Sequence, residues 1–451
     1  MTPTSADLWF LPLGGCGEIG MNLNLYGHDG QWLMVDCGVT FAAPDAPVSE
    51  PHVQMADPRF IEDRRDDLAG LVITHAHEDH IGAVAHLWPR LRCPVYTTPF
   101  AAEILRRKLG EVGLEGVVPV FVVPQAARRA IGPFDVEWID LTHSIPEPSA
   151  LMIRTPVGHV FHTADWKLDP QPVLGSPYDP EVYARLGEES VLAMVCDSTN
   201  ATLRGHSASE LSLEPGLREV IAEASGRVVV SCFASNLARL VTLAKIARDT
   251  GRHLSLLGRS LNTMVSAARA TGIWPEGVSF VPPRDLGYFP RDTVMAIATG
   301  SQGESRAALA RLARDRHPHL ALETGDRIVF SARIIPGNER EVERLIEQFR
   351  QRDIEVITSE QYPRPIHASG HPAEEELRAM YHWIRPEIAI PVHGEAPHIA
   401  ANAAIAQTCG VARQLQGRNG DLFFIAPVPG IRRDAVPVGR LGLEGELLRS
   451  L

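Results

Sequence analysis

The sequence is poor in cysteine, and its cysteines follow no recognisable pattern. Six occur among the 451 residues, at positions 16, 37, 93, 196, 232 and 409, and none forms a C-x-x-C pair. Such dispersion is not typical of a disulfide framework or of a structural zinc knuckle. We therefore expect reduced, mostly buried thiols in a cytosolic protein.

Long apolar runs and a secretory leader are also missing. No stretch approaches the ~18–20 uninterrupted apolar residues that a membrane-spanning helix requires. The opening stretch, MTPTSADLWFLPLGG, has neither a basic segment nor a long apolar core, so no signal peptide is visible. We predict a cytoplasmic protein without a membrane partner.

Positive charge is not in excess, since the formal net charge is −12 at pH 7. This balance argues against a nucleic-acid binder of the simple basic-surface kind. A polyanionic substrate would need a local positive field, supplied by metal ions or by a lined groove, to overcome the overall repulsion.

Two patterns divide the chain, whose length predicts two or three domains. Up to about residue 203, short apolar runs alternate with Gly, Pro and Asp, which indicates a strand-rich layer. Beyond it, strand-like runs alternate with runs of helical apolar spacing, which indicates a small parallel α/β unit. Its predicted strands lie at 227–233, 253–258, 293–300 and 326–332, and its predicted helices include 304–316 and 339–352.

The stretch 71-LVITHAHEDHIGAV-84 carries the strongest chemical signal. His75 and His77 would point about 200° apart on a helix, so a shared ion requires an extended or looped backbone. Asp79 and His80 follow where the loop turns into a helix, and could face a second ion. The order H-x-H-x-D-H, behind a strand and before an apolar helix, disfavours a chance surface loop. It resembles the signature of the metallo-β-lactamase superfamily.

Further candidate ligands stand at the ends of predicted strands. His143 in IDLTHSIPE suits a third histidine of one site, Asp165 in FHTADWKLD a bridging carboxylate, and His393 in IPVHGE a ligand of the second site. Asp36 in MVDCG matches the early aspartate of the superfamily, and we expect it to orient a ligand.

The remaining motifs resemble the ribonuclease J family, a bacterial group in the β-CASP branch of this superfamily. They occur in the same order along nearly the whole chain: LGGCGEIGMN, 195-VCDSTNA-201, 231-SCFASN-236, 299-TGSQGE-304, 334-IIPGNE-339, 367-HASGH-371 and 392-VHGE-395. The resemblance implies an α/β fold, a metallo-β-lactamase αββα sandwich with an inserted parallel β-CASP domain. The expected division is 1–204 and 356–451 for the sandwich and 205–355 for the insert.

By the same resemblance, two zinc ions per chain would be bound, with manganese as the alternative metal. One ion would be held by His75, His77, His143 and Asp165, and the other by Asp79, His80, Asp165 and His393. Histidine at position 393 accompanies RNA as substrate in this branch, whereas the DNA-cutting relatives usually carry valine there.

The resemblance also implies catalytic roles for Asp79, Asp197 and His367. Asp197 matches the first β-CASP motif and His367 the second. Zinc ions would activate a bridging water for in-line attack, leaving a 5′-phosphate on the downstream fragment. His367 is the candidate proton donor to the leaving oxygen, and the competing interpretation is a hydrogen-bonded loop histidine.

A pocket for a terminal phosphate is expected where a strand meets a helix start, at Ser235 and Asn236. In the family, this serine lines the pocket together with the serine and second histidine of HxSGH, here Ser369 and His371. Ser301 has a similar setting, and a ligand role is as plausible for it as a plain turn with a helix cap.

The function implied is 5′-to-3′ exonuclease action on single-stranded 5′-monophosphate RNA, with internal cleavage left open. Rival interpretations are a small-molecule hydrolase, a DNA nuclease, and an RNA-binding scaffold with a decayed site. A short segment follows His393, so we expect the family's further C-terminal domain to be absent or reduced. A homodimer and contacts with other RNA-decay proteins stay open. Ala164 and Trp166 replace the common glycine and phenylalanine beside Asp165.

Overall fold

A computed structural model describes residues 1–42, 46–47, 49–335 and 337–451. Pro336 of the motif 334–339 lies outside the described residues. No helix within these ranges is long and apolar enough to cross a membrane.

The strands, numbered in chain order, have the following bounds. They are β1 Leu8–Gly14, β2 Leu23–His28, β3 Gln31–Val35, β4 Val39–Phe41, β5 Val53–Ala56, β6 Leu68–Val72, β7 Val95–Thr97, β8 Val120–Val122, β9 Arg128–Ile131, β10 Phe134–Asp140, β11 Ser149–Thr155, β12 Gly158–His162, β13 Val191–Asp197, β14 Val228–Ser231, β15 His253–Leu257, β16 Val294–Ala298, β17 Arg327–Phe330, β18 Glu355–Thr358, β19 Ile388–Val392, β20 Arg413–Gln414, β21 Leu422–Ala426, β22 Gly430–Arg432, β23 Arg440–Glu444 and β24 Leu447–Ser450.

The helices are numbered in the same way. They are α1 Arg59–Glu62, α2 Glu78–Ile81, α3 Val84–Leu91, α4 Pro99–Glu111, α5 Pro180–Gly187, α6 Glu214–Ala222, α7 Leu237–Asp249, α8 Arg259–Ala270, α9 Ala308–Ala313, α10 Glu339–Arg350, α11 Glu374–Ile384 and α12 Ala396–Thr408.

Two large sheets pack face to face and form the centre of a four-layer αββα sandwich. One has the order β22-β21-β1-β2-β3-β6-β7-β8 and the other β20-β19-β13-β12-β11-β10-β9. Side chains alternate along each strand, so that Leu151 and Ile153 of β11 face the core between the sheets. Met152 of the same strand packs in a cluster that includes Leu377 of α11 and Ile405 of α12. The sandwich confirms the predicted fold class.

A third sheet, of order β15-β16-β14-β17-β18, is entirely parallel. Its strands alternate with helices along the chain, as the helical apolar spacing predicts. The predicted division at residues 204 and 355 stays a prediction, and the last strand of this sheet, β18, begins at Glu355.

The helix predicted over 304–316 is much shorter in the structure, because α9 spans only Ala308–Ala313. Gly303 adopts a positive φ of 82°, and the Glu304 carboxylate accepts a hydrogen bond from the Gln302 N–H at 2.9 Å. This hydrogen bond and the positive φ of Gly303 form a turn in place of the first helical turn. At the other end, Asp315 has a φ of 56°, which stops the helix.

The segment after His393 returns to the beginning of the chain. Strand β21 pairs with β1 in the large sheet, and β23 pairs with β5 in a small sheet of order β24-β23-β5-β4. The Asn419 side chain accepts from the Cys16 N–H at 2.9 Å. The tail is therefore an integral part of the sandwich.

Candidate metal centre

Strand ends bring the histidines and aspartates of the sequence motifs to one edge of the sandwich. His75 and His77 lie in the loop after β6, and Asp79 and His80 lie in α2, for which His77 is the N-cap residue. His143 follows β10, Asp165 follows β12 and His393 follows β19. Since β10, β12 and β19 belong to one sheet and β6 to the facing one, their ends converge.

The first cluster consists of His75, His77, His143 and Asp165, whose ligand-type atoms all lie within 4.8 Å of one another. The Nδ1 of His77 is 3.1 Å from the Nε2 of His75 and 3.1 Å from the Nε2 of His143. The Asp165 Oδ2 lies 4.0 Å from His75 and 3.8 Å from His143. These four side chains surround one small volume.

The second cluster consists of Asp79, His80, Asp165 and His393. The Nε2 of His80 is 3.3 Å from Asp165 Oδ2 and 3.5 Å from Asp79 Oδ2. The Nε2 of His393 is 3.1 Å from Asp79 Oδ2, and its Nδ1 is 3.3 Å from Asp165 Oδ1. Asp165 therefore belongs to both clusters.

The chemistry of these donors fits divalent metal ions. Nitrogen and oxygen donors of His and Asp are ligands that zinc prefers and manganese also accepts. Burial lowers the pKa of His75 and His143, and that of His77 to about 4, so these imidazoles stay neutral as ligation requires. The Asp165 Oδ1 is buried without a hydrogen bond from the described residues, which leaves a lone pair for a cation.

The electrostatic field of the second cluster also favours a cation. Burial disfavours the charged form of His80, but Asp165, Asp79 and Asp36 outweigh it and raise its pKa. The pKa of His393 is raised in the same way, because the carboxylates of Asp165, Asp197 and Asp79 outweigh the effect of burial. A field that stabilises protonated imidazole equally stabilises a metal ion at the same place.

Asp36 contacts the second cluster, and its predicted role is to orient a ligand. Its Oδ2 lies 2.7 Å from His80 Nδ1, which turns the Nε2 of that ring toward Asp165. Thr74 donates to Asp36 through its N–H at 2.8 Å and its hydroxyl at 2.9 Å. The carboxylate is thus held on one side by the loop that carries His75.

Two supporting residues were not predicted. The Asn22 side chain donates to the Asp79 carbonyl at 3.0 Å, and the Thr199 hydroxyl lies 3.0 Å from His393 Nδ1. Both stand inside recognised motifs, LGGCGEIGMN and VCDSTNA. Motif membership was the available signal, but it does not show which atoms would meet.

Asp197 pairs with His371 beside the two clusters. The Asp197 Oδ2 lies 2.8 Å from His371 Nδ1, and Asp165 Oδ2 lies 3.9 Å from the same nitrogen. Burial opposes ionisation of Asp197, but His371 outweighs it and lowers the pKa of Asp197 to about 2. Burial opposes protonation of His371, but the negative charges of Asp197 and Asp165 outweigh it and raise the pKa of His371. A half-buried imidazole held by a carboxylate therefore stands at the edge of the centre.

His367, the histidine chosen from the sequence as proton donor, lies elsewhere. In the part of the chain that the structure describes, no His/Asp cluster includes it. Burial, followed by the charge of Arg239, lowers its pKa to about 3, and its buried Nδ1 has no hydrogen-bond partner among the described residues. A neutral imidazole outside the centre does not suit a proton donor. The geometry argues against this role for His367, which stays a prediction, as does the competing interpretation of a hydrogen-bonded loop histidine.

The side chains predicted to bind a terminal phosphate differ in how far other protein groups already occupy them. The Ser235 hydroxyl is 3.1 Å from His77 Nε2, and Ser369 accepts from the Asn200 side chain at 2.7 Å. Asn236, in contrast, caps α7 by accepting from the Arg239 N–H at 2.9 Å and donates to Glu210 at 3.1 Å. Ser301 is buried, 3.5 Å from the Gln302 amide nitrogen.

A buried ion pair lies behind this pocket, where Glu210 meets Arg239 at 2.9–3.0 Å. Burial opposes ionisation of Glu210, but Arg239 outweighs it and lowers the pKa of Glu210 to about 2. The Arg239 guanidinium also donates to the Ser331 carbonyl at 3.0 Å. These contacts join the segment before α6 to the carboxyl ends of β14 and β17.

We expect Glu210→Gln to lower the free energy of unfolding at pH 7 by about 3–5 kcal/mol, because it leaves Arg239 charged and unpaired in the interior. The native pKa of Glu210 is depressed from 4.5 to about 2. Its stabilisation is therefore present above pH 4.5 and is lost as the pH falls toward 2. Urea unfolding at several pH values measures the difference, which should shrink below pH 5.

The matched control is Glu214→Gln, because Glu214 pairs with the accessible Arg218 and Lys245. This change should cost less than about 1 kcal/mol. A Glu210→Gln effect as small as the control, or one independent of pH, would contradict the assignment.

Comparisons with known proteins agree with this geometry. Residues 20–213 match the model described as the metallo-beta-lactamase superfamily, residues 225–349 the ribonuclease J beta-CASP domain, and residues 364–410 the Zn-dependent metallo-hydrolase RNA specificity domain. A ribonuclease J of Sinorhizobium meliloti is 45% identical over 447 residues, which are 98% of this chain and 78% of that protein. The chain belongs to the ribonuclease J family. This confirms the resemblance inferred from the motifs.

Other relatives extend the comparison. The ribonuclease J of Mycolicibacterium smegmatis is 38% identical over 438 residues, covering 96% of this chain and 77% of that protein. That of Helicobacter pylori strain B128 is 35% identical over 410 residues, and the match spans 59% of its length. A crystal structure of a protein of unknown function from Enterococcus faecalis V583 has a TM-score of 0.64 at 16% identity, over 93% of this chain and all of that one. It shows a shared fold alone.

Proposed function

We propose that the protein is a metal-dependent ribonuclease that hydrolyses phosphodiester bonds of single-stranded RNA with two zinc ions. The observation that carries the proposal is the position of Asp165, whose Oδ2 lies 3.8 Å from His143 of the first cluster and 3.3 Å from His80 of the second. His393, which completes the second cluster, is the residue associated with RNA substrates in this branch. Membership of the ribonuclease J family supports the same substrate.

The metal clusters and the neighbouring side chains have different roles in the proposed reaction. Divalent ions held there would activate a water for attack and offset the charge that develops on the phosphate. His371 donates a proton to the departing 3′ oxygen, and Asp197 holds its Nδ1 at 2.8 Å so that the ring stays oriented and charged. Asp79, itself ligand-type, fixes His393 at 3.1 Å.

We further propose that RNA is trimmed from a 5′-monophosphate end. Ser235, at the carboxyl end of β14, and Ser369, beside His371, offer hydroxyl groups next to the metal centre. A terminal phosphate bound by these groups would place the first phosphodiester bond near Asp165. Asn236 contributes through the backbone at the start of α7, since its side chain is already engaged.

The remaining assignments belong to the same proposal. We place the sandwich at residues 1–204 and 356–451 and the insert at 205–355, and the protein acts in RNA processing and decay in the cytoplasm. Zinc is the proposed metal, and manganese is the alternative to be compared. A homodimer and contacts with other decay proteins are compatible with it.

The test uses single-stranded RNA that carries a radiolabelled 5′-monophosphate. We expect labelled mononucleotide from the first time points on a sequencing gel, which reports exonuclease action. Longer labelled fragments would report internal cleavage and would contradict the terminal pocket while supporting ribonuclease activity. Intact RNA with zinc-loaded or manganese-loaded protein would contradict the proposed function, and single-stranded DNA and small esters would then be assayed.

A further inference from the structure

The carboxyl edge of the parallel sheet faces the metal centre. Ser235 follows β14 and reaches His77 at 3.1 Å, so the loops after these strands border the site. Strand β17 pairs directly with β14, and the loop after it begins at Ser331, whose N–H donates to the Ser231 carbonyl at 2.8 Å. Ligands of parallel α/β sheets bind at such edges. Arg333 stands in this loop.

Arg333 is an exposed cation in an otherwise acidic protein. No ion pair among residues 1–42, 46–47, 49–335 and 337–451 includes it. The arginines at the opposite, amino edge of the sheet behave differently: Arg227 and Arg291 pair with Asp326, and Arg327 pairs with Glu355. Carboxylates therefore neutralise the arginines at the amino edge of the sheet. At the carboxyl edge, near the metal centre, the guanidinium of Arg333 forms no ion pair with the described residues.

The head of Arg333 points toward the catalytic loops. Its Nη1 lies 3.4 Å from the side-chain oxygen of Asn200. The amide nitrogen of Asn200 in turn donates to the Ser369 hydroxyl at 2.7 Å and to the His371 carbonyl at 3.2 Å. One residue thus separates the guanidinium from the segment that carries the proposed proton donor.

The backbone of Arg333 is held by a buried glutamine. The Gln302 amide donates to the Arg333 carbonyl at 2.9 Å and accepts from the Ile335 N–H at 2.8 Å. Gln302 is only 7% exposed and belongs to the TGSQGE segment, to which the proposed chemistry assigns no role. Its two bonds fix the loop, so that the exposed guanidinium is presented from a defined position.

We propose that Arg333 binds a phosphate oxyanion of the RNA at the entrance of the centre and thereby positions the substrate. This rests on the proposed function, because RNA is the polyanion that the site would process. Guanidinium groups bind phosphate through paired N–H donors, and in a protein of net charge −12 a local cation favours the capture of a polyanion. Gln302 acts through Arg333 and is a positioning residue.

The test compares Arg333→Ala with Arg350→Ala in the zinc-loaded full chain. Arg350 is the last residue of α10, is exposed, belongs to no ion pair of the described residues, and lies toward the amino edge of the same sheet. Both changes alter the net charge equally. Initial rates are measured on 5′-monophosphate and 5′-hydroxyl RNA between about 50 and 200 mM salt. Over this range each phosphate contact adds about 0.7 to the slope of log affinity against log salt concentration.

We expect Arg333→Ala to lower kcat/KM about tenfold at low salt, chiefly through KM, because a charge-assisted hydrogen bond is lost. The slope of log kcat/KM against log salt should become shallower by about 0.7, and Arg333→Lys should restore that slope. A loss confined to 5′-monophosphate RNA identifies the terminal phosphate as the partner, and an equal loss on both RNAs identifies an internal phosphodiester.

Equal behaviour of Arg333→Ala and Arg350→Ala would overturn the inference, as would a loss in kcat with an unchanged salt slope. Failure of the wild-type protein to hydrolyse RNA would contradict the proposed function instead. In that case fluorescence anisotropy of the same RNA decides the inference, because an equal Kd for wild type and Arg333→Ala overturns it.

Discussion

Replacing Asp165 by asparagine is expected to abolish RNA hydrolysis and to prevent the two metal sites from filling together. Its Oδ2 lies 3.3–4.0 Å from ring nitrogens of His75, His80 and His143, and its Oδ1 lies 3.3 Å from His393. An amide keeps the shape but removes the negative charge that both clusters share. Loss of several kcal/mol of charge stabilisation corresponds to at least about a 10³-fold fall in kcat. Hydrolysis rates on labelled RNA measure the fall in kcat, and mass spectrometry measures the number of metal ions bound per chain.

The control for this change is Asp140→Asn. Asp140 also ends a strand of the same sheet, but it is exposed and belongs to neither cluster. It should retain two ions and nearly full activity, and circular dichroism confirms that both variants are folded. An Asp165→Asn protein that binds two equivalents of metal and cleaves RNA at the wild-type rate would refute the shared-carboxylate role.

Replacing His371 by glutamine is expected to reduce kcat by about 10²–10⁴-fold, the range typical of a lost general acid. Its Nδ1 lies 2.8 Å from Asp197 and 3.9 Å from Asp165, so the ring stands beside both clusters. His367→Gln should change kcat less than about tenfold, since that ring is buried outside the clusters with its pKa lowered to about 3. Single-turnover rates of the two variants, measured side by side, show which substitution slows cleavage more.

A modified substrate distinguishes proton donation from a merely structural effect. RNA with sulfur in place of the bridging 3′ oxygen has a leaving group that needs no proton. The defect of His371→Gln should largely disappear on this RNA, whereas a defect caused by disturbed packing would persist. A larger effect of His367→Gln than of His371→Gln on ordinary RNA would return the donor role to His367.

Much of the fold was predictable because the relevant signals are local. Apolar runs bounded by Gly, Pro and Asp predicted the sandwich strands, and the strand-helix alternation predicted β14 to β17 of the parallel unit, although not its last strand, β18. The ligand-type residues were found for the same reason, since each belongs to a short motif that follows a strand. Their coordination of metal stays a prediction, although the ligand-type atoms of each cluster lie within 4.8 Å of one another.

Contacts between distant parts of the chain decided what sequence patterns could not. The two histidines of HASGH are four residues apart, and only the fold shows that His371 meets Asp197, 174 residues away. Asn236 stands at a helix start, where an anion cradle was predicted, but Glu210 and the Arg239 N–H already occupy its side chain. The helix predicted over 304–316 lost its first turn because Glu304 bonds the Gln302 N–H.

The most direct test of the account is a zinc titration of metal-depleted protein, with RNA hydrolysis followed at each addition. If the two clusters around Asp165 form one centre, activity should be absent without metal, and should rise to a plateau at two equivalents of zinc per chain. Full activity after chelation, a plateau at one equivalent, or no hydrolysis at any ratio would contradict it.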